Sequence, residues 1–244
     1  MVRFRVLGPV DVFVDGAPVR LRPQERRLLA LLLCRPNRPV PTEDLVDELW
    51  NGSPPATART AIRVHVERTR AAMRGHGLSR LTSSEGGYRL VVEPGELDVE
   101  IVETALRRAG GASRLPATVR APMLAEALGL WVGRPFADVD GIPAVDAERE
   151  RIAARKEEIV ADLAQAQLVA GLHDLVRAHG PSWVHEFPFS EPVACAVALA
   201  RYRCADQPGA LSLLRDLRQR LVDALGLDGT PAVGAPERAL PNHD

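Results

Sequence analysis

Residues 59–74, RTAIRVHVERTRAAMR, carry the side chains whose type and spacing most clearly predict a chemistry. Arginine binds DNA phosphates, and in the major groove it pairs with the edge of guanine. On a helical wheel of about 100° per residue, the arginines line both edges of one side, and the centre of that side is mixed. This layout is typical of a helix in a DNA groove, where base edges lie between two phosphate strands. A solvated helix in an arginine-rich chain is the alternative.

Ten side chains are assigned to the candidate interface. The predicted base-facing residues are Thr60, Arg63, Val64 and Glu67. The predicted phosphate-binding residues are Arg59, His65, Arg68, Arg70, Arg74 and Arg89. Each phosphate contact would add about one unit to the slope that relates affinity to salt.

Some of these assignments have a competing interpretation. Arg63 contacts a base or a phosphate, or it is a solvated arginine. Glu67 either accepts a hydrogen bond from cytosine or repels nearby phosphates and so sharpens the register. His65 borders the apolar side of the helix, so it is either a phosphate donor or a half-buried histidine. Tyr88 is predicted to pack under the following hairpin, whereas Arg89 reaches a phosphate.

The opposite side of this helix is apolar and is predicted to face the core. Its members are Ala58, Ile62, Val66, Thr69 and Met73. Two shorter helices are predicted before it. The first begins with Pro23 at its first position and ends before Pro36, and the second, TEDLVDELW, has Thr42 as its N-cap.

Strand patterns flank the three helices. Apolar and polar residues alternate from Val2 to Val12, and Asp15-Gly16 predicts a type I′ turn in an antiparallel sheet that ends near Leu21. A second hairpin is predicted around a Gly86-Gly87 turn. The order of sheet, three helices and hairpin predicts a winged helix-turn-helix with the arginine helix in the recognition position. The loop at residues 51–57 is either a polymerase contact or a plain connector.

The remainder of the chain predicts an all-helical domain. Helices are expected at residues 98–109, 121–131, 143–170, 191–203 and 208–225. Paired helices rich in alanine and leucine are typical of helical-repeat domains. The predicted domains are residues 1–94, 95–230 and a flexible tail at 231–244. The fold class is therefore mainly α with a small β component.

Charge and composition favour a binding protein over an enzyme. Residues 1–94 contain 15 arginines against 10 acidic residues, whereas the rest of the chain is acidic. Lys156 is the only lysine, so no P-loop exists, and no catalytic serine or metalloprotease motif occurs. The three cysteines lack metal-site spacing, so no metal, cofactor or catalytic residue is expected. Since no signal peptide or membrane span is predicted, the expected location is the cytoplasm.

Several stretches follow a known family pattern in the right order. They include LVDELWNGSPPATARTAIRVHVERTRAAM and GGYRLVV in the first half, and ALGLWVGRPFADV and LRQRLVDALGLDGTP in the second. With them the chain resembles the Streptomyces antibiotic regulatory protein family, which joins an OmpR/PhoB-type winged helix to a bacterial transcriptional activation domain. The resemblance covers roughly residues 3–231. It implies a pathway-specific activator of secondary metabolism that binds direct repeats in promoter DNA, with a second protomer, and recruits RNA polymerase holoenzyme. It also implies a tetratricopeptide-like second domain.

The chain departs from the family pattern at Leu214, which replaces an aromatic residue, and at three places in the winged helix. Thr69 stands where a leucine is usual, Glu67 introduces a carboxylate into the recognition helix, and the hairpin lacks the arginine often found before its turn. These departures favour an alternative function, a protein-interaction adaptor whose winged helix has little DNA affinity. A weaker alternative is a ligand-sensing repressor, which would need an apolar cavity in its helical domain.

Overall fold

The computed structural model describes residues 1–84, 86–110 and 115–225. The chain forms two compact units, Met1–Thr104 with Gly129–Ala154, and Ala105–Leu128 with Arg155–Asp244. The strands are β1 Val2–Arg5, β2 Asp11–Val14, β3 Ala17–Pro18, β4 Val40–Pro41, β5 Leu81–Ser84 and β6 Gly87–Leu90. The helices are α1 Pro23–Leu33, α2 Thr42–Trp50, α3 Ala58–Arg74, α4 Asp98–Gly110, α5 Ala117–Leu128, α6 Pro143–Val169, α7 His173–Glu186, α8 Glu191–Arg203 and α9 Gln207–Leu225. The predicted tail at 231–244 lies outside the described residues.

The first sheet is antiparallel in the order β1-β2-β3. The turn between β2 and β3 has positive φ at both central residues, 50° at Asp15 and 81° at Gly16. A type I′ turn requires this geometry, and glycine adopts it without strain. The predicted turn is therefore confirmed, although the last strand ends at Pro18 rather than near Leu21.

Helices α1, α2 and α3 pack against one another around a leucine-rich centre. Leu28, Leu32, Leu45 and Ile62 are completely buried there. The prediction that Thr42 is the N-cap of α2 is wrong, because Pro41 occupies that position. Thr42 is instead the first helical residue, and its N–H donates to the carbonyl of Gly86. The start of α2 is thus attached to the following hairpin rather than capped by its own side chain.

The hairpin of β5 and β6 forms the wing. Strand β6 lies between β4 and β5 in a three-stranded sheet, with Val40 opposite Tyr88 and Pro41 opposite Gly87. The prediction of a Gly86-Gly87 turn is wrong in its second residue, since of these two glycines Gly86 lies in the turn and Gly87 begins β6. A Cβ atom on Gly87 would lie 2.0 Å from the carbonyl oxygen of Val40. Glycine is therefore required by the close approach of two strands.

Residues 129–154 pack within the first unit, although in sequence they follow the predicted domain boundary at residue 94. The N–H groups of Val132 and Phe136 donate to the carbonyls of Leu7 and Val6 at 2.9 Å each. A carboxylate of Asp138 accepts from the N–H of Val10 at 2.8 Å. These bonds fasten a loop from the second half of the sequence to the end of β1.

The second unit is helical throughout its described part, and successive helices α7, α8 and α9 pack in order. Ala194 of α8 is buried against Leu217 and Leu221 of α9. Most predicted helices agree with the observed ones to within a few residues. The helix predicted at 121–131 is instead observed at Ala117–Leu128, and α7 was not predicted. The expectation of a winged helix followed by an all-helical domain is confirmed.

Candidate nucleic-acid interface

Helix α3 has the two sides that its sequence predicts. Its buried residues are Ala58, Ile62, Val66, Thr69 and Met73, the same five that the helical wheel assigns to the core. Thr69 is completely buried, and its hydroxyl donates to the carbonyl of His65 at 2.8 Å. Because this bond satisfies the hydroxyl, a threonine is accommodated where an apolar residue would otherwise be expected.

The centre of the exposed side presents Thr60, Arg63, Val64 and Glu67, all exposed. Val64 leaves 41% of its surface in solvent. An apolar group at the centre of a groove-binding face can contact the methyl group of thymine. Arg63 forms no ion pair or hydrogen bond with the described part of the chain, so its donors are available to a ligand.

Three arginines of the interface are paired within the protein. Arg59 lies 3.0 Å from Glu43 of α2 in an exposed ion pair. Glu67 accepts from Arg70 at 2.7 Å and lies 3.9 Å from Arg74. Exposed pairs of this kind contribute little to stability, so Arg59 and Arg74 can exchange their partners for phosphates at small cost. The carboxylate of Glu67 has two cations beside it, which lowers its repulsion of nearby phosphates.

Arg70 differs from the other arginines of α3 because it is only 20% exposed. Its Nε donates to the carbonyl of Leu81 at 2.9 Å and its Nη2 to the hydroxyl of Ser83 at 2.9 Å. Its guanidinium also lies over the ring of Tyr88, 5.7 Å from the centroid. One side chain of α3 therefore contacts both strands of the wing.

His65 is half-buried, as one of its two interpretations expects. Burial lowers the pKa of its imidazole, and the nearby Arg68 acts in the same direction, whereas Glu25 acts against them. The lowered pKa favours the neutral form of the imidazole. A neutral ring still donates one N–H, but it lacks the charge that strengthens a phosphate contact.

Arg68 of α3 and Arg89 of β6 are exposed. Neither forms an ion pair with any residue that the structure describes. Tyr88, the neighbour of Arg89, is half-buried. The surface thus offers Arg63, Arg68 and Arg89 with uncompensated charge, whereas Arg59, Arg70 and Arg74 have carboxylate partners.

The internal partners of these arginines were not foreseen from the sequence. The i,i+3 spacing of Glu67 and Arg70 is a signal that could have indicated one of these pairs. The contacts of Arg70 with the wing could not be read from spacing, because Leu81 and Ser83 belong to another element. Within the described ranges, no three His, Cys, Asp or Glu side chains are grouped as metal ligands.

Two family models match the chain. The bacterial transcriptional activator domain matches residues 97–240, and the C-terminal domain of transcriptional regulatory proteins matches residues 16–90. No helix in residues 1–84, 86–110 or 115–225 has the length and apolar character needed to cross a membrane.

Curated relatives extend the similarity over nearly the whole chain. Regulatory protein AfsR of Streptomyces coelicolor is 32% identical over 237 residues, which are 95% of this chain and 23% of AfsR. Transcriptional regulatory protein EmbR of Mycobacterium tuberculosis is 30% identical over 95% of this chain and 61% of EmbR. Transcriptional regulator RedD of Streptomyces coelicolor is 31% identical over 93% of this chain and 66% of RedD. The chain thus spans about a quarter of AfsR and three fifths of EmbR.

A solved structure has the same fold. Mycobacterium tuberculosis EmbR, in complex with a low-affinity phosphopeptide, superimposes with a TM-score of 0.89 at 28% identity. The match covers 99% of this chain and 66% of the EmbR chain.

Proposed function

Because the chain belongs to the bacterial transcriptional activator domain family, in the arrangement of the Streptomyces antibiotic regulatory proteins, we propose that it is a sequence-specific, pathway-specific activator of secondary metabolism. In this proposal it binds direct repeats in promoter DNA as tandem protomers and recruits RNA polymerase holoenzyme. The observation that carries the proposal is the exposed side of α3, where Arg63 has no partner among the described residues and arginines flank a mixed centre.

The proposed contacts follow from exposure and pairing. Thr60, Arg63 and Val64 read base edges, and the carboxylate of Glu67 lies beside them on the same side of α3. The flanking phosphate contacts are those of Arg59, Arg68, Arg74 and Arg89, with His65 as a neutral donor. Phosphate contacts fix the orientation of the protein on the duplex, and base contacts select the sequence.

Recruitment of polymerase would act through effective concentration. A protomer held on the promoter raises the local concentration of its surface for polymerase, so a weak contact is sufficient to increase occupancy. The loop between α2 and α3 is a candidate for that contact, because residues 51–57 are all exposed. A second protomer on the adjacent repeat would add to the same effect.

Footprinting tests the DNA-binding part of the proposal. Fragments from upstream of the neighbouring genes are footprinted at two salt concentrations with wild type, Arg63→Ala and Arg20→Ala. Arg20 is exposed and lies outside α3 and the wing, so it is the matched control. Wild type should protect spaced direct repeats, and affinity should fall steeply with salt. Arg63→Ala should weaken binding about 10- to 100-fold and relax specificity at the base that Arg63 contacts, with Arg20→Ala close to wild type.

Two results would overturn this assignment. A wild-type protein that leaves no footprint at low salt is not a DNA reader on these sequences, and the adaptor interpretation would then be preferred. Equal affinities of the Arg63 and Arg20 variants would remove α3 from the interface. Recruitment is then tested by transcription in vitro with purified holoenzyme. If the proposal holds, adding the protein should increase the amount of transcript from a promoter that carries the repeats.

A further inference from the structure

We infer that Arg70 is a positioning residue that holds the wing against the recognition helix, and that it does not bind a phosphate. The effect of Arg70 on DNA binding rests on the proposed function, whereas its effect on the position of the wing does not depend on DNA. It reverses the role that the sequence predicts for Arg70, since its position on the helical wheel is that of a phosphate-binding edge.

All three nitrogens of the Arg70 guanidinium donate to acceptors within the protein. Nε, Nη1 and Nη2 each donate to a different acceptor, the carbonyl of Leu81, the carboxylate of Glu67 and the hydroxyl of Ser83. A guanidinium is rigid and planar, so it cannot turn toward a phosphate without breaking these bonds together. Arg68, by contrast, is exposed and forms no ion pair with any described residue, so it has nothing comparable to lose.

The charge of Arg70 is also compensated. Glu67 lies 2.7 Å from its guanidinium and is itself exposed, on the side of α3 that would face DNA. A phosphate that approached Arg70 would therefore meet the carboxylate as well. Because salt dependence counts the phosphates that a protein neutralises, a paired arginine contributes little to it.

The contacts of Arg70 bear on where the wing lies. Strand β6 is fixed by its pairing with β4, but β5 is an outer strand that pairs only with β6 in this sheet. Arg70 bonds to two residues of β5, Leu81 and Ser83, and its guanidinium lies over Tyr88 of β6. Arg89 follows Tyr88 directly, so the same contacts determine the distance between Arg89 and the exposed side of α3.

The first experiment needs no DNA. Amide hydrogen exchange is measured on the full chain for wild type, Arg70→Lys, Arg70→Ala and the control Arg68→Ala. Lysine keeps the positive charge but cannot reproduce three bonds in one plane, and it is the variant expected to fold if alanine does not. Both Arg70 variants should exchange faster in β5 and β6, whereas amides of α1 should keep their wild-type rates. Unchanged exchange in the wing of Arg70→Lys would overturn the inference, and so would an equal increase in α1.

The second experiment combines Arg70 with Arg89 in DNA binding. If Arg70 positions the wing, the contact of Arg89 is already lost in Arg70→Lys, and adding Arg89→Ala should change affinity less than about twofold. If both residues bind phosphates, their losses should multiply, and the salt slope should fall by a further unit or so with Arg89→Ala. Multiplied losses would overturn the inference. Absence of DNA binding by wild type would contradict the proposed function alone, because the exchange result is obtained without DNA.

Discussion

Asp98 is the first residue of α4 and accepts hydrogen bonds from the backbone just after β1, and its burial predicts an unusual titration. The side chain is 3% exposed, and its Oδ2 accepts from the N–H groups of Val6 and Leu7 at 2.9 Å each. Its Oδ1 accepts from the N–H of Val99 at 2.9 Å. Burial raises the pKa of this carboxyl from 3.8 to about 6, although the three N–H groups and Arg5 act in the opposite direction. The variant Asp98→Asn removes the titration and retains the shape.

The sign of the effect on stability follows from proton uptake. Between about pH 4 and pH 6 the folded protein binds a proton at Asp98 that the unfolded chain does not. The contribution of this group to stability is therefore complete below the unfolded pKa and is lost as the pH rises through about 6. A shift of this size corresponds to roughly 3 kcal/mol over the full range, of which about 1 kcal/mol lies between pH 5 and pH 7.

Urea unfolding of wild type and Asp98→Asn at pH 5 and pH 7 measures this difference. Other groups titrate equally in both proteins, so the unfolding free energy of wild type relative to the variant should fall by about 1 kcal/mol from pH 5 to pH 7. The exposed Asp216→Asn serves as the control for the replacement of a carboxylate by an amide. In the folded protein, the amide resonances of Val6 and Leu7 should shift with a midpoint near pH 6. A relative stability that rises with pH would refute the reasoning, because the N–H groups would then outweigh burial.

Two further predictions concern the first unit. Gly87→Ala should lower the free energy of unfolding by about 1–3 kcal/mol, because the added Cβ would force the backbone at Val40 away from β6. A melting temperature equal to that of wild type would contradict this prediction. Cys34 should react very slowly with a disulfide reagent at pH 8 in the folded protein, because burial raises the pKa of its thiol to about 12. Mass spectrometry locates the label, and early modification at Cys34 would be the contrary result.

The parts of the fold that follow from local rules were predicted from sequence. The five buried positions of α3 follow from the 3.6-residue period alone, and the turn at Asp15 and Gly16 follows from the positive φ that both residues tolerate. In each case the determining interactions lie within a few residues along the chain. The predicted order of sheet, helices and wing needed only such signals.

Helix α7 was missed because tertiary contacts outweigh its local sequence. Gly180 and Pro181 lie in its middle, and both residues disfavour a helix interior. A Cβ on Gly180 would lie 2.5 Å from the side chain of Val197, so the glycine permits α7 and α8 to approach closely. The contact that requires this glycine is made between α7 and α8, so it produces no periodic pattern in the sequence of α7. The end of α5 was misplaced for a similar reason, since residues after Leu128 pack in the first unit.

The partners of the arginines, rather than their number, separate binding residues from structural ones. Arg80 is paired with Glu93 at 2.8 Å and Glu96 at 2.9 Å, and Arg26 with Asp138 at 2.7 Å, so these cations are already neutralised within the first unit. Arg63 and Arg68 are of the same residue type and are exposed on one helix without such a carboxylate among the residues described. Counterion release depends on the number of phosphates that the protein neutralises, and an arginine held by a carboxylate must give up that partner before it can neutralise one. Because the chain contains many arginines, the surface that can bind DNA is therefore determined by which of them lack a carboxylate partner within the protein.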